Sequence, residues 1–441
     1  MPEFLYIHIP FCIRKCIYCD FLSVPYDESF AKKYVDALCK ELILKKDSAR
    51  ILKTIYLGGG TPSLLAEECF IKLFNCLRNN FDFSPSIEIT VEANPGTINN
   101  ARINTLLSLG INRLSIGVQS FNDNELRILG RVHISTDAAR SIELIRESGI
   151  NNFSIDLMYG IPGQTLDSWQ NTISKAVGLS PTHISAYELT LEENTPLYKL
   201  MKSNETLSQL RCEVTTSAPP WMGGDKGEGE NEYKKSPSPS PIDGEGILVN
   251  HKSELRGTPF LKLPDEELIL EMYNHVIDYL ASFRYEHYEI SNFALPGFRC
   301  MHNLNYWDRG EYIGAGAGAH SFFNGMRSKN TEDIKRYIKD LNNEIIPETE
   351  STKLTSTEAL KEFIFLGLRK TEGININGLP LFIPPLPRWD IGGCGRVLLE
   401  ACRDLVYDGY IEIERGYLRL TRKGIVISNT IIVKLFERLG L

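Results

Sequence analysis

Along the N-terminal half of the chain, apolar residues come in short runs rich in Ile, Leu, Val and Tyr. Each run is followed by a turn with polar residues or glycine, and then by a stretch with helical spacing. LYIHIP (5–10), TIYLGGGTP (54–62), IEITVEANP (87–95), NRLSIGVQS (112–120), NFSIDLMYG (152–160) and THISAYELT (182–190) are the six strands this pattern predicts. Amphipathic segments such as FAKKYVDALCKELIL and TDAARSIELIRESG lie between them, long enough to act as crossover helices and make neighbouring strands parallel. The alternation predicts an α/β fold, a partial (βα)6 barrel, whose chemistry would sit at the C-terminal ends of the strands. Those ends carry the unusual residues: cysteines after the first strand, GGGTP after the second, Glu92 and Asn94 in the third, Gln119, Asp156 and Glu188 in the next three. Turn formers would explain one or two of these, and not a succession of six.

Beyond NTPLYKLM the pattern breaks. Residues 205–258 are rich in Gly, Pro, Ser and charge and cannot bury enough apolar surface to fold alone, so they read as a low-complexity, disordered insertion. LPDEELILEMYNHVIDYLASF then predicts a helix with an acidic start, and EHYEISNFALPG with RCMHNLNYWDRGEYIGAGAGAHSFF reads as an irregular, aromatic-rich stretch of the kind that carries function. The helices TSTEALKEFIFLGLRK and VLLEACRDLVYDG and the hairpin-like YIEIERGYLRLT predict an α+β C-terminal region with a winged-helix-like end. The expected organisation is a barrel over 1–204, the insertion at 205–258, an aromatic-rich region over 259–350 and a terminal domain over 351–441.

Composition narrows the function classes. With 441 residues and 42% hydrophobic content, the chain can bury a sizeable core, and a formal charge of −8 argues against a nucleic-acid partner. The first residues lack a leader pattern and no run of eighteen apolar residues occurs, so the sequence reads as cytoplasmic, without a transmembrane segment. In that compartment ten cysteines are ligands, reactive groups or buried apolar residues rather than disulfides.

Three of them, Cys12, Cys16 and Cys19, stand in the spacing CxxxCxxC directly after the first strand. A disulfide would strand one of the three. Zinc would want a fourth ligand, and neither His nor Cys occurs between Cys19 and Cys39 to supply it locally. Three thiolates suit a [4Fe-4S] cluster with one iron left open. The alternative of another class is a non-catalytic zinc-binding interaction protein.

CxxxCxxC followed by GGGTP after the next strand resembles the radical S-adenosylmethionine superfamily. The resemblance implies a [4Fe-4S] cluster on Cys12, Cys16 and Cys19, with S-adenosylmethionine bound at its open iron and reductively cleaved. Gly58, Gly59 and Gly60 would let backbone approach a ligand, and Thr61 would offer a hydroxyl. Glu92 in VEANP, Gln119 in GVQSF, Arg131 in LGRVH, Asp156 in SIDLMYG and Tyr6 extend the match to the superfamily's coproporphyrinogen-oxidase branch. There the resemblance implies that Tyr6, Gly59, Gly60, Thr61, Glu92, Gln119, Arg131 and Asp156 contact S-adenosylmethionine.

Two readings within that branch compete. Oxygen-independent coproporphyrinogen III oxidases carry CxxxCxxCxC, and the position of their fourth cysteine is Phe21 here, which departs from the oxidase pattern. The related heme chaperones of the HemW family show CxxxCxxCDF and HNxxYW, and this chain has both, the second as HNLNYW. The resemblance to the chaperones implies heme as a further cofactor, contacted by His302, Asn303, Tyr306 and Trp307, and a hemoprotein acceptor as partner. It names no catalytic residue and leaves open a homodimer and a transient contact with a membrane surface. Imidazole is a usual heme ligand, and Tyr or Trp can stack on a macrocycle or bond a propionate. Cys300 and His320, the latter after the flexible-looking run GAGAGA, are lesser candidates.

Overall fold

A computed structural model describes residues 1–49, 51–202, 262–376 and 394–441. The expected insertion at 205–258 and the Pro/Gly-rich stretch 379–393 lie outside the described residues. The six predicted strands all form: β1 (Phe4–Ile9), β2 (Leu52–Gly59), β3 (Phe83–Ala93), β4 (Arg113–Gln119), β5 (Phe153–Tyr159) and β6 (His183–Glu188). They pair in chain order and in parallel. Helices α1 (Glu28–Lys45), α2 (Glu67–Asn80), α3 (Asn100–Ser108), α4 (Asp123–Ile128), α5 (Ser135–Glu147) and α6 (Leu166–Gly178) supply the crossovers.

Residues 286–315 are not the irregular stretch expected from sequence. They form β7 (Glu286–Glu289), β8 (Asn292–Ala294) and β9 (Ile313–Ala315), and all three join the sheet of the barrel. The order is β9-β1-β2-β3-β4-β5-β6-β8-β7, with β9 parallel to β1 and the β7–β8 hairpin antiparallel on β6. Strands this short carry too few alternations to announce themselves by period. They cover both edges of the six-stranded core, which would otherwise present unpaired backbone groups.

The core lies between the outer face of the sheet and the helices: Leu5, Ile7, Ile55, Leu57, Ile116, Ile155 and Ile184 are fully buried against residues such as Val35, Leu38, Phe70, Phe74, Ile142 and Ile173. The opposite, inward face carries the polar residues. The helix expected after the insertion, α7, spans Glu266–Ser282, is capped by Asp265, and packs on α6, where Trp169 Nε1 donates to the Met272 carbonyl at 2.9 Å. Helix α8 (Met301–Trp307) carries HNLNYW, and α9 (Ser356–Gly367) begins with a Thr355/Glu358 capping box. A hairpin of Ile411–Glu414 and Tyr417–Leu420 between the helices Cys394–Tyr407 and Ser428–Leu439 gives the winged-helix-like end. No helix among the described residues is long and apolar enough to cross a membrane.

The run GAGAGA is pinned rather than free. Glu41, fully buried in α1, accepts from the Gly316 backbone N–H at 2.8 Å, from Asn330 at 2.7 Å and from Lys45 at 2.6 Å. The Ala317 N–H donates to the Tyr34 hydroxyl at 2.9 Å. Small residues here serve close packing against α1 and β1.

Candidate functional site

The chain leaves β1 through Phe11–Cys12, which pairs with Val24–Pro25 and closes the cysteine loop at its base. Arg14 reaches across to donate to the carbonyls of Gly130 (2.8 Å) and Arg131 (3.2 Å), and the Ile17 N–H donates to Leu129 O at 3.3 Å. Ile17 and Tyr18 pack on a small apolar cluster of Leu129, Met158, Ile161, Leu189 and Leu197, separate from the main core. The loop is therefore seated on the C-terminal ends of β5 and β6, over the barrel mouth.

All three loop cysteines are free and half-buried. Thr61 Oγ1 lies 3.7 Å from Cys12 Sγ, and Arg131 Nη1 lies 3.4 Å from Cys16 Sγ. Burial pushes the Cys19 thiol up to about 11 and raises Cys12 as well, so solvation does not favour the thiolates. Among the described residues no three His, Cys, Asp or Glu side chains converge as the ligands of one metal ion would. Structural zinc takes four protein ligands, whereas a [4Fe-4S] cluster can be held by three thiolates. Three thiols on one seated loop, with a guanidinium beside one of them, fit the cluster.

Below the loop, strand register brings the inward residues together. Tyr6 pairs with Tyr56, Glu92 with Ser115, Gly117 with Asp156, and Asp156 with Ser185. Glu92 accepts from the Tyr56 hydroxyl at 2.8 Å and from the Gly59 N–H at 3.0 Å, and burial raises its pKa to about 7. Arg131 donates to Asn94 and to the Gly117 carbonyl, and Asn94 donates to Thr61 at 2.8 Å. These contacts link the GGGTP turn, β3, β4 and the Cys16 thiol. Gln119, with φ of 68° at a register shift in β4, is bent back over Gly117. A non-glycine residue held there signals local strain of the kind found at binding sites. Tyr187 is 40% exposed although Asp156, Glu289 and Glu92 all act on its phenol, so it borders open space inside the barrel.

The glycines of GGGTP have a different reason than expected. A Cβ on Gly59, whose φ is +114°, would stand 2.5 Å from the His8 ring, and one on Gly60 would stand 2.6 Å from the Phe11 carbonyl oxygen. What comes close to these glycines is β1 and the start of the cysteine loop. His8 Nε2 faces the Leu22 carbonyl at 3.0 Å, which can only accept, so Nε2 carries the proton and Nδ1 accepts from the Tyr6 hydroxyl at 3.0 Å.

HNLNYW lies at the other end of the barrel, beside the first halves of β1 and β2. His302 is buried, with Thr54 Oγ1 2.6 Å from Nδ1 and the Tyr306 hydroxyl 3.0 Å from Nε2. Its ring stacks on Tyr56 at 5.1 Å between centroids, and burial lowers its pKa to about 3. Asn303, Tyr306 and Trp307 are half-buried. The backbone N–H groups of Met301 and His302 both donate to Glu88 at 3.2 Å. His320 is exposed on the strand His320–Phe323 and apart from this helix.

A buried chain missed by sequence joins the two ends. The Tyr288 hydroxyl donates to His183 Nε2 (2.7 Å), His183 Nδ1–H to Ser154 (2.8 Å), and Ser154 to Asp156 (2.9 Å); the Cys300 N–H, at the start of α8, donates to Tyr288 at 3.4 Å. Asp156 also accepts from Ser115 at 2.8 Å. The only sequence signal for Tyr56, Ser115, Ser154 and His183 is period two in strands whose apolar residues dominate the reading.

The sequence profile of the radical SAM superfamily matches residues 6–176, and that of the HemN C-terminal domain matches 354–427. The chain is similar to heme chaperone HemW of Bacillus subtilis, 34% identical over 97% of both chains, and to that of Lactococcus lactis, 33% identical over 98% of this chain and 97% of the relative. Heme chaperone HemW of Escherichia coli is 30% identical over 98% and 97%. Among solved structures, coproporphyrinogen III oxidase (HemN) from Escherichia coli superposes with a TM-score of 0.72 at 20% identity, covering 98% of this chain and 89% of that one. That likeness carries the fold.

Proposed function

The chain belongs to the heme chaperone HemW family of the radical SAM superfamily, and we propose on that footing that it binds heme and hands it to a hemoprotein acceptor. The observation that carries the reading within its branch is Phe21: the loop ends in CDF, and the residue where the oxidases place a fourth cysteine is a phenylalanine 69% exposed.

In this reading Cys12, Cys16 and Cys19 hold a [4Fe-4S] cluster, which when bound supplies the electron that cleaves S-adenosylmethionine. The chain's own residues set the surroundings. Arg131 holds its charge at the Cys16 sulfur, Thr61 hydrogen-bonds Cys12, and Asn94 keeps both in place. Tyr6, Gly59, Gly60, Glu92, Gln119 and Asp156 form the wall for S-adenosylmethionine. Glu92 and Asp156 arrive with some lone pairs already committed to Tyr56, Gly59, Ser115 and Ser154, which fixes the direction of the rest.

Heme would meet the α8 end through Asn303, Tyr306 and Trp307. For His302 to ligate iron through Nε2, it must exchange its bond to Tyr306 for the metal, and Nδ1 stays held by Thr54. The acceptor, dimerisation and membrane contact belong to the same proposal.

The test is an anaerobic heme titration of the reconstituted full chain beside an assay for coproporphyrinogen decarboxylation with S-adenosylmethionine and reductant. Stoichiometric heme binding without decarboxylation is the expected result. Decarboxylation with little heme binding would restore the oxidase reading.

A further inference from the structure

At the junction of the β7–β8 hairpin, the C-terminal end of α8 and the end of α9, several buried polar atoms have no hydrogen-bond partner: Glu289 Oε1, Asn292 Oδ1, Arg369 Nε and Trp307 Nε1. They are neighbours in space. The Ile290 N–H donates to the Arg369 carbonyl at 3.0 Å, and the backbones of Glu289 and Lys370 form an isolated antiparallel β-bridge. The Arg369 guanidinium stands 5.1 Å from the centroid of Trp307 and 5.6 Å from that of Phe365. Among the described residues no salt bridge engages Arg369, although Arg309, Arg327, Lys370 and Arg422 each have one; the only acid its charge is seen to act on is the buried Glu289 carboxyl.

Two buried donors without acceptors, Arg369 Nε–H and Trp307 Nε1–H, are costly to leave unpaired. A guanidinium held between aromatic faces suits a planar carboxylate acceptor. Phe365 is 36% exposed, so the apolar side of the cluster opens to solvent. We propose that Arg369 and Trp307 form a carboxylate-binding site that takes a side-chain carboxylate of a porphyrin lying against Trp307 and Phe365. The site rests on the heme-binding reading above and extends it from Trp307 of HNLNYW to Arg369 and Phe365. Glu289 does not oppose such an anion strongly, because burial raises its pKa to about 7 and keeps much of it protonated at neutral pH.

The experiment titrates the full chain with heme, with iron-free protoporphyrin and with the dimethyl ester of that porphyrin, in the parent, Arg369→Ala, Arg369→Lys and Trp307→Phe. The iron-free pair removes axial ligation from the comparison, and Trp307→Phe keeps the aromatic face while deleting the N–H. Loss of a charged hydrogen-bonded contact predicts that Arg369→Ala weakens heme and protoporphyrin by roughly 10- to 100-fold, with the ester unchanged. Arg369→Lys and Trp307→Phe should fall between. Equal weakening of acid and ester would make Arg369 a packing residue and overturn the site, as would unchanged affinities in all variants; both leave the heme-binding function standing. A parent chain that binds none of the three would overturn the site and the function together.

Discussion

Glu92 and Glu289 are inward acids whose carboxyls burial pushes up from the ordinary glutamate range to about 7. A folded-state pKa above the unfolded one means that the unfolded chain releases these protons first as pH rises. The stability they leave intact below about pH 4.5 is lost progressively towards pH 7 and no further above it. Glu289, only 1% exposed, is the cleaner case. Glu289→Gln should flatten this slope and exceed the parent at pH 8, by on the order of 3 kcal/mol at most. Urea midpoints at pH 5 and pH 8 check it, and parallel shifts in parent and variant would refute it. His302→Ala should lower the thermal midpoint independently of heme, because Thr54 and Tyr306 lose their partner inside the barrel, at a cost of roughly 2–4 kcal/mol; an unchanged melting curve of the heme-free chain would count against the packing described. Cys16→Ala should reduce iron and sulfide per chain after reconstitution to near zero while far-UV circular dichroism stays the same. At this scale Glu92 and Asp156 stood out in the sequence because a charge inside an apolar strand is conspicuous, whereas Arg131, in the loop after α4, entered only through the family resemblance. Tyr56, Ser154 and His183 were not, because their importance lies in partners on other strands.

The cysteine loop is an element whose spacing was plain in sequence and whose support was not. Its seat is built from Arg14 on the 130–131 carbonyls and from Ile17 and Tyr18 on the second apolar cluster, contacts that span more than a hundred positions. The GGGTP turn is likewise bound to the loop's first strand. Gly60→Ala should therefore displace Phe11 and Cys12, because the new Cβ would meet backbone that cannot rotate away. Reduced cluster content after reconstitution, with a thermal midpoint several degrees lower, is the expected reading; full cluster content would show that the turn yields. The hairpin of β7 and β8 and the strand β9 escaped sequence reading for a related reason. Strands of three or four residues, with inward faces as polar as Glu289 and Asn292, show no apolar alternation, and only pairing with β6 and β1 makes them strands.

At the scale of the whole molecule, the barrel depends on residues far along the chain. The edge of β1 is covered by Ile313–Ala315, that of β6 by Asn292–Ala294, and Trp169 of α6 donates into the helix Glu266–Ser282. A fragment of residues 1–202 should consequently aggregate when expressed alone, its edge strands and the outer face of α6 uncovered; a monomeric, cooperatively melting fragment on size exclusion and calorimetry would contradict this. The amino-acid sequence alone determined the six parallel strands, the three-cysteine loop at the mouth and the polar residues at strand ends, because period, turn chemistry and ligand spacing are local properties. Only the tertiary structure decided that HNLNYW closes the opposite end of the same barrel, that His302 is bonded through both ring nitrogens, and that Tyr288, His183 and Ser154 connect that helix to Asp156. Those facts depend on strand register and on which distant segments cover each sheet edge, and the free energy that sets them comes from packing and hydrogen bonds between residues that no local pattern relates.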